Sequence, residues 1–193
     1  MKICALDISF SSTGIAIYDS EYNCFILDKL KGDGTKHQKF IDIQKTINNY
    51  TLPNLKEKLK GIDVLVIEEP FPFGCFSSGL YALDTAICQV FFDKLDKTFT
   101  PRTLEYIHGC KSHKKSQSVT LAKDICSILQ KNNHEVIFNS KNNDACEAFL
   151  YLIHYMLLEN KLTTEDIKDI KNINSKIGTI KILAPLPKTK KRG

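Results

Sequence analysis

The chain has 193 residues, of which 42% are hydrophobic and 25% charged, with a formal net charge of +5. This composition is typical of one globular domain with an ordinary buried core, and it excludes an intrinsically disordered or fibrous protein. No apolar run approaches the ~20 residues that a membrane-spanning helix needs, and no signal peptide is recognisable. We therefore expect a cytoplasmic protein, of bacterial or phage-infected cells, that does not bind a membrane.

The first third of the chain predicts three closely spaced strands at residues 3–6, 15–18 and 25–30. A turn of small residues, 9–14, separates the first two, and this spacing favours an antiparallel meander. Apolar residues at helical spacing predict a helix at residues 36–50. The continuous apolar run 64–67 then indicates a strand that is covered on both faces.

Helices dominate the remainder. The most helix-like segment, residues 77–95, carries one apolar stripe made of Leu80, Leu83, Ile87, Val90 and Phe91. A strand at 97–100, a helix at 116–130 and an extended run at 136–138 follow. Asn143 or Asp144 is expected to cap a long apolar helix that ends near residue 159, and Thr163 or Thr164 a short amphipathic one.

This order of elements predicts an α/β fold with a central mixed sheet of five strands flanked by helices. We expect residues 1–160 to form the main domain and residues 161–193 to add a C-terminal helix and a basic extension. Lysines and one arginine follow Ser175 without any acid, and a second basic cluster lies at Lys111, Lys114 and Lys115. Two such clusters favour a polyanionic partner, although solubility explains a single one.

Four acids lie where an apolar element begins or ends. Asp7 ends the first strand, Glu68 ends the buried strand, and Asp144 and Glu147 lie three apart on one face of a helix start. Carboxylate oxygens are ligands that Mg²⁺ prefers, and two such ions ~3.5–4 Å apart support phosphodiester cleavage. The alternatives are a turn residue for Asp7, a strand-end residue for Glu68 and a helix cap for Asp144.

Four segments together resemble the RuvC-type Holliday junction resolvases, in the same order and at similar spacing: ICALDISFSSTGIAIYD, DVLVIEEPF, HKKSQSV and NNDACEAFLYLIHY. The resemblance spans about residues 2–155 and implies an RNase H-like fold. It implies that Asp7, Glu68, Asp144 and Glu147 bind two Mg²⁺ ions, for which Mn²⁺ would be a substitute. The implied reaction is paired nicking of four-way DNA junctions that leaves 5′-phosphates.

The resemblance also suggests DNA contacts. Phe71 falls where the family has an aromatic residue used against bases at the crossover, and Lys115 falls on a lysine that contacts the backbone. Phe71 and Phe73 flank a proline, which favours stacking on exposed bases, with core packing as the alternative. Lys111, Lys114 and Lys115 precede a helix whose free amides would reinforce phosphate binding; a solvated loop is the alternative.

The sequence departs from the family pattern at three places. The first turn continues with Ile8 and Ser9 where Pro-Gly is common, Glu147 stands where Asp is commoner, and Glu105 lies near a frequent lysine. These departures bear on affinity and rate. They leave all four candidate ligands in place.

Paired nicking needs two active sites, so we expect a two-fold symmetric homodimer. The helix predicted at 77–95 is the candidate interface, with Tyr81, Val90 or Phe92 facing the partner.

Three other functions are the alternatives to paired nicking of junctions. They are an RNase H-type nuclease on RNA–DNA hybrids, a non-catalytic junction-binding protein, and an actin-like ATPase or sugar kinase. The last needs a second phosphate loop and a glycine-rich adenosine site, which the sequence lacks, so no nucleotide cofactor is expected. His108, Cys110 and His113 lie close together, but without a second ligand pair they do not predict a zinc site.

Overall fold

The computed structural model describes residues 1–32, 40–69, 78–110, 114–140 and 142–179. A mixed sheet lies between two layers of helices. Its strands are β1 (Lys2–Asp7), β2 (Ser12–Asp19), β3 (Cys24–Lys31), β4 (Val64–Glu68), β5 (Leu95–Phe99) and β6 (Glu135–Phe138). The helices are α1 (Phe40–Thr46), α2 (Leu52–Lys58), α3 (Ser78–Val90), α4 (Arg102–His108), α5 (Lys115–Lys131), α6 (Asn143–Leu158) and α7 (Thr164–Ile173).

The sheet has the strand order β5-β4-β1-β2-β3-β6. Strands β1, β2 and β3 form the predicted antiparallel meander. The other three strands pair in parallel: β4 with β1, β5 with β4, and β6 with β3. The predicted count of five strands was wrong, because the extended run at 136–138 is itself a strand that pairs at the β3 edge.

Two apolar clusters lie on opposite faces of the sheet because successive strand side chains point to opposite sides. On β1, Ile3 and Ala5 belong to the cluster that contains α4, α5, α6 and α7 residues; we call this side the α6 face. Cys4 and Leu6 belong to the other cluster, with residues of α2 and α3, and we call that side the α3 face. This three-layer packing covers the central strands on both sides.

Several helix boundaries differ from the predicted ones. The helix predicted at 36–50 is α1, which continues through a π-helical turn, Ile47–Thr51, into α2, while residues 33–39 lie outside the described residues. Helix α3 ends at Val90 rather than at residue 95, and a 3₁₀ turn follows at Phe92–Lys94. Helix α4 was not predicted.

The C-terminal helix packs against the main body of the protein. Thr163 caps α7 as predicted: its hydroxyl accepts from the Asp166 backbone N–H at 3.1 Å, and its own N–H donates to Asp166 Oδ2. Asp166 Oδ2 also lies 2.9 Å from His134 Nε2, beside β6. Ile170 is fully buried on the α6 face. Within the described segments, no helix has both the length and the apolarity to cross a membrane.

Candidate metal centre

Asp7 and Glu68 occupy the ends of two neighbouring parallel strands. The pairing of β1 with β4 runs from Ile3 opposite Val64 to Leu6 opposite Ile67, so the next step of that register sets Asp7 opposite Glu68. Both positions follow the side-chain alternation onto the α6 face, two residues beyond Ala5 and Val66. The fold therefore directs both carboxylates toward the start of α6.

Asp144 and Glu147 lie in the first turns of α6, and neither caps it. The cap is Asn142, whose side-chain Oδ1 accepts from the Ala145 backbone N–H at 2.9 Å. The prediction that Asn143 or Asp144 caps this helix was wrong. The Asn142 amide nitrogen also donates to Asp144 Oδ2 at 3.0 Å and to Ser12 Oγ at 3.2 Å. The cap thus orients the Asp144 carboxylate instead of competing with it.

Three of the acids meet in one cluster. Carboxylate oxygens of Asp7, Asp144 and Glu147 all lie within 4.8 Å of one another. Asp7 and Glu147 are buried, while Asp144 is half-buried. Glu68 is half-buried and adjoins this group, since its charge and a hydrogen bond with it both raise the pKa of Asp7.

The cluster carries unfavourable negative charge. Burial raises the pKa of Asp7 well above its usual range, and the charge of Glu68, a hydrogen bond with Glu68, and the charges of Glu147 and Asp144 raise it further. Carboxylates that share a site repel one another, and a bound cation relieves that repulsion. Hard oxygen donors with excess negative charge fit Mg²⁺ or Mn²⁺. Asp7, Glu68, Asp144 and Glu147 are the side chains that would hold such ions.

Among the candidate DNA contacts that the structure describes, Lys114 and Lys115, it is Lys115 whose side chain lies beside the cluster. Its ammonium group is 3.3 Å from Asp144 Oδ1, although 63% of the side chain remains exposed. Lys114 is exposed, and its backbone N–H donates to the Gln117 side chain at 2.7 Å at the start of α5. Lys111, Phe71 and Phe73 lie outside the described residues.

Sequence reasoning did not assign a role at this site to three further polar residues, Ser118, His108 and Tyr151. Ser118 donates a hydrogen bond to Glu147 Oε1 at 3.1 Å and lies 3.1 Å from His108 Nε2. Tyr151 is fully buried; burial and then the charges of Glu68 and Asp7 raise the pKa of its hydroxyl well above the usual value, so this hydroxyl keeps its proton. The sequence signal for Ser118 is that it continues the apolar stripe of Ala122, Ile125 and Leu129 on α5, and a lone serine at such a position does not by itself indicate a site.

Among solved structures, the fold is similar to RuvC of Thermus thermophilus. The match has a TM-score of 0.51 over 83% of this chain and 97% of the RuvC chain, at 13% sequence identity. The same protein in complex with a Holliday junction substrate gives a TM-score of 0.50 at 12% identity, over 83% of this chain and 96% of that chain. The Fowlpox virus resolvase in complex with substrate Holliday junction DNA gives 0.48 at 22% identity, over 84% of this chain and 100% of that chain.

No protein-family model and no curated protein sequence matches the chain. The likeness to the Thermus structures confirms the predicted RNase H-like α/β fold, with a sixth strand added. At these sequence identities the likeness concerns the fold alone.

Proposed function

We propose that the protein is a metal-dependent DNA endonuclease that resolves four-way junctions by paired nicking. The observation that carries this proposal is the meeting of Asp7, Asp144 and Glu147 within 4.8 Å, next to Glu68. The fold supports it, since the Thermus RuvC structure of the same fold contains a Holliday junction substrate.

The four carboxylates would act together as ligands. A divalent cation bound there would lower the pKa of an attacking water and stabilise negative charge on the leaving oxygen. Two ions, Mg²⁺ or in its place Mn²⁺, are proposed from the number of carboxylates. Attack on phosphorus with cleavage of its bond to the 3′ oxygen leaves a 5′-phosphate, and the 3′ oxygen departs as a hydroxyl.

The basic start of α5 is the proposed backbone contact. Lys114 is the N-cap of a 17-residue helix and Lys115 is its first residue, and the backbone amides at a helix N-terminus favour phosphate oxygens. Lys115 lies close enough to Asp144 to bring a bound phosphate next to the acidic cluster. We include Lys111 in this contact and propose that Phe71 and Phe73 stack on bases at the branch point, where each stacked base contributes about 1–3 kcal/mol.

Two opposed nicks require two copies of the site, so the proposed active species is a homodimer. Helix α3 is the proposed interface. Its Leu83 and Ile87 side chains are buried on the α3 face, whereas Tyr81, Val90 and the following Phe92 keep exposed surface. The cytoplasm remains the predicted location.

Strand-specific mapping of nicks on a synthetic four-way junction tests the function. We expect symmetric nicks on two opposed strands with Mg²⁺ and none with EDTA, and ligatable products with 5′-phosphates. An RNA–DNA hybrid and a linear duplex of the same sequence belong in the same assay. Preferred cleavage of the hybrid would instead support an RNase H-type nuclease, and metal-independent binding without any nick would support a non-catalytic junction-binding protein.

A further inference from the structure

A hydrogen-bonded chain leads from the acidic cluster through the buried Ser118 to helix α4. Glu147 Oε1 accepts from the Ser118 hydroxyl at 3.1 Å, and Ser118 Oγ lies 3.1 Å from His108 Nε2. Ser118 has 0% of its surface exposed, so water does not compete for its bond to Glu147, while the His108 end of the chain is half-buried. The three residues come from α6, α5 and α4, and the chain therefore ties three separate elements together at the site.

We propose that Ser118 and His108 are positioning residues that hold the Glu147 carboxylate in place as a metal ligand. This inference rests on the proposed function, because it assigns to Ser118 and His108 a role at the same metal centre. It names two side chains that the four-acid pattern does not include.

The chemistry of the groups fixes the direction of the chain. An ionised carboxylate only accepts hydrogen bonds, and a serine hydroxyl has one proton to donate. Since Ser118 gives its proton to Glu147, its oxygen accepts from His108, which must carry a proton on Nε2. A serine that also accepts a hydrogen bond is a better donor, because successive hydrogen bonds polarise one another.

Glu147 needs such support more than an aspartate would. Its side chain has one more rotatable bond, and the charges of Asp7 and Asp144 would push a free carboxylate away from the cluster. Hydrogen bonds from groups behind a ligand orient it toward the metal, and their loss typically costs 10–100-fold in metal affinity. The hydroxyl of Ser118 supplies the orienting bond, and His108 keeps the hydroxyl turned toward Glu147.

The outer end of the chain adjoins a surface cavity of about 330 Å³, lined in part by His108, Gln117, Thr120 and Asn174. The cavity leaves space around the imidazole, which is half-buried. Substitutions of His108 should therefore be accommodated without repacking the core, and they separate the orienting effect from a folding defect.

The test is to measure the affinity of the full chain for Mn²⁺, without DNA, by electron paramagnetic resonance. We expect Ser118→Ala to weaken Mn²⁺ binding about 10-fold. His108→Leu should weaken it less, and His108→Gln, which can place an N–H near the position of Nε2, should restore it. The double variant Ser118→Ala/His108→Leu should bind like Ser118→Ala alone, because His108 acts through Ser118. Ser127→Ala is the matched control, since this exposed serine of α5 donates only to the Lys123 carbonyl at 3.0 Å.

Wild-type affinity in both Ser118→Ala and His108→Leu would overturn the inference, even if their unfolding temperatures fell. If wild-type Mn²⁺ binding depends on Asp7 but not on Ser118 or His108, the proposed function stands and this inference fails. If Asp7→Asn binds Mn²⁺ as wild type does, the metal centre and the inference fail together.

Discussion

Gly14 lies directly against the backbone of Asp144: a β carbon on Gly14 would stand 2.0 Å from the Asp144 carbonyl oxygen. Gly14 is also the residue that pairs with Asp7 across β1 and β2. The missing side chain thus allows the start of α6 to approach the strand that ends in Asp7. Asp7 and Asp144 come together because Gly14, which contacts both residues, has no side chain.

Gly14→Ala should therefore disturb the metal centre. The added methyl group must push α6 away from β2, and overpacking of this kind costs about 1–3 kcal/mol. We expect a lower free energy of unfolding and at least a tenfold loss of Mn²⁺ affinity. Gly61→Ala is the control: Gly61 has a φ of +76° and open space around it, so alanine strains only the backbone, far from the acids. Wild-type Mn²⁺ affinity in Gly14→Ala would show that the close approach is not needed.

Much of this arrangement was predictable from strand ends. The apolar runs that stop at Asp7 and Glu68 predict strands, and the antiparallel meander with a buried strand beside it brings those ends together. Helix α4 was not predictable, because Arg102–His108 is short and buries only Thr103, Leu104 and Ile107. Strand β6 has four residues with alternating exposure, too few to distinguish a paired strand from an extended loop.

Contacts between elements are what the sequence could not provide. Asn142, Asn143 and Asp144 are all good helix caps, and the chain alone does not select Asn142. Ser118 falls on an apolar stripe, but a lone serine at such a position is common in helix cores. Its hydrogen bond to Glu147 depends on how α5 packs against α6, which no local pattern specifies.

Lys115→Ala should have two opposite effects. Loss of a phosphate contact should weaken binding to any branched DNA and reduce the salt dependence of binding by about one contact. Loss of the ammonium group 3.3 Å from Asp144 should strengthen Mn²⁺ binding, because a cation no longer competes for that carboxylate. Lys131→Ala removes a lysine at the other end of α5 that lies 3.4 Å from Asp169 of α7, and it should change neither DNA binding nor Mn²⁺ binding. An unchanged salt dependence in Lys115→Ala would place this lysine outside the interface.

The proposed dimer interface on α3 can be tested by placing negative charges on its exposed side chains. Tyr81 and Phe92 expose 38% and 74% of their surface, so Tyr81→Glu with Phe92→Glu should leave the fold intact while placing four charges in a two-fold interface. We expect monomers in sedimentation velocity that nick junctions poorly. Tyr22→Glu, at the exposed turn between β2 and β3, is the control. A fully active dimeric double variant would reject this interface.

Asp84 on α3 predicts a specific pH dependence of stability. Burial and then the charge of Glu69 raise its pKa to about 6. The folded protein therefore holds this proton more tightly than the unfolded chain, in which aspartate titrates at ~3.9. The ionised form destabilises the fold fully above pH ~6, and that cost disappears as the pH falls toward ~4.

Asp84→Asn removes this cost and should raise the free energy of unfolding by about 1–2 kcal/mol at pH 7.5, with a smaller gain at pH 4.5. Urea unfolding at the two pH values measures the difference. Asp93→Asn, at an exposed position of the following 3₁₀ turn, should show no such gain. An Asp84→Asn variant that is less stable than wild type at pH 7.5 would contradict the assignment.

Asp7→Asn separates a metal ligand from a structural turn residue. Neutralising one member of a repelling cluster should not harm the fold, so in EDTA the variant should melt no lower than wild type. Junction binding should persist, because less negative charge faces the phosphates. Glu69→Gln is the matched control. Glu69 follows Glu68, but its carboxylate accepts a hydrogen bond from the Thr98 hydroxyl, and its charge raises the pKa of Asp84 on α3, away from the cluster.

The most direct measurement is the single-turnover cleavage rate of a four-way junction in Mg²⁺ for wild type, Asp7→Asn and Glu69→Gln, with unfolding temperatures taken in EDTA. We expect Asp7→Asn to lose activity by orders of magnitude while it remains folded and binds the junction, and Glu69→Gln to keep most of the wild-type rate. Cleavage by Asp7→Asn at near the wild-type rate would contradict the account, because Asp7 would then be a turn residue and not a ligand.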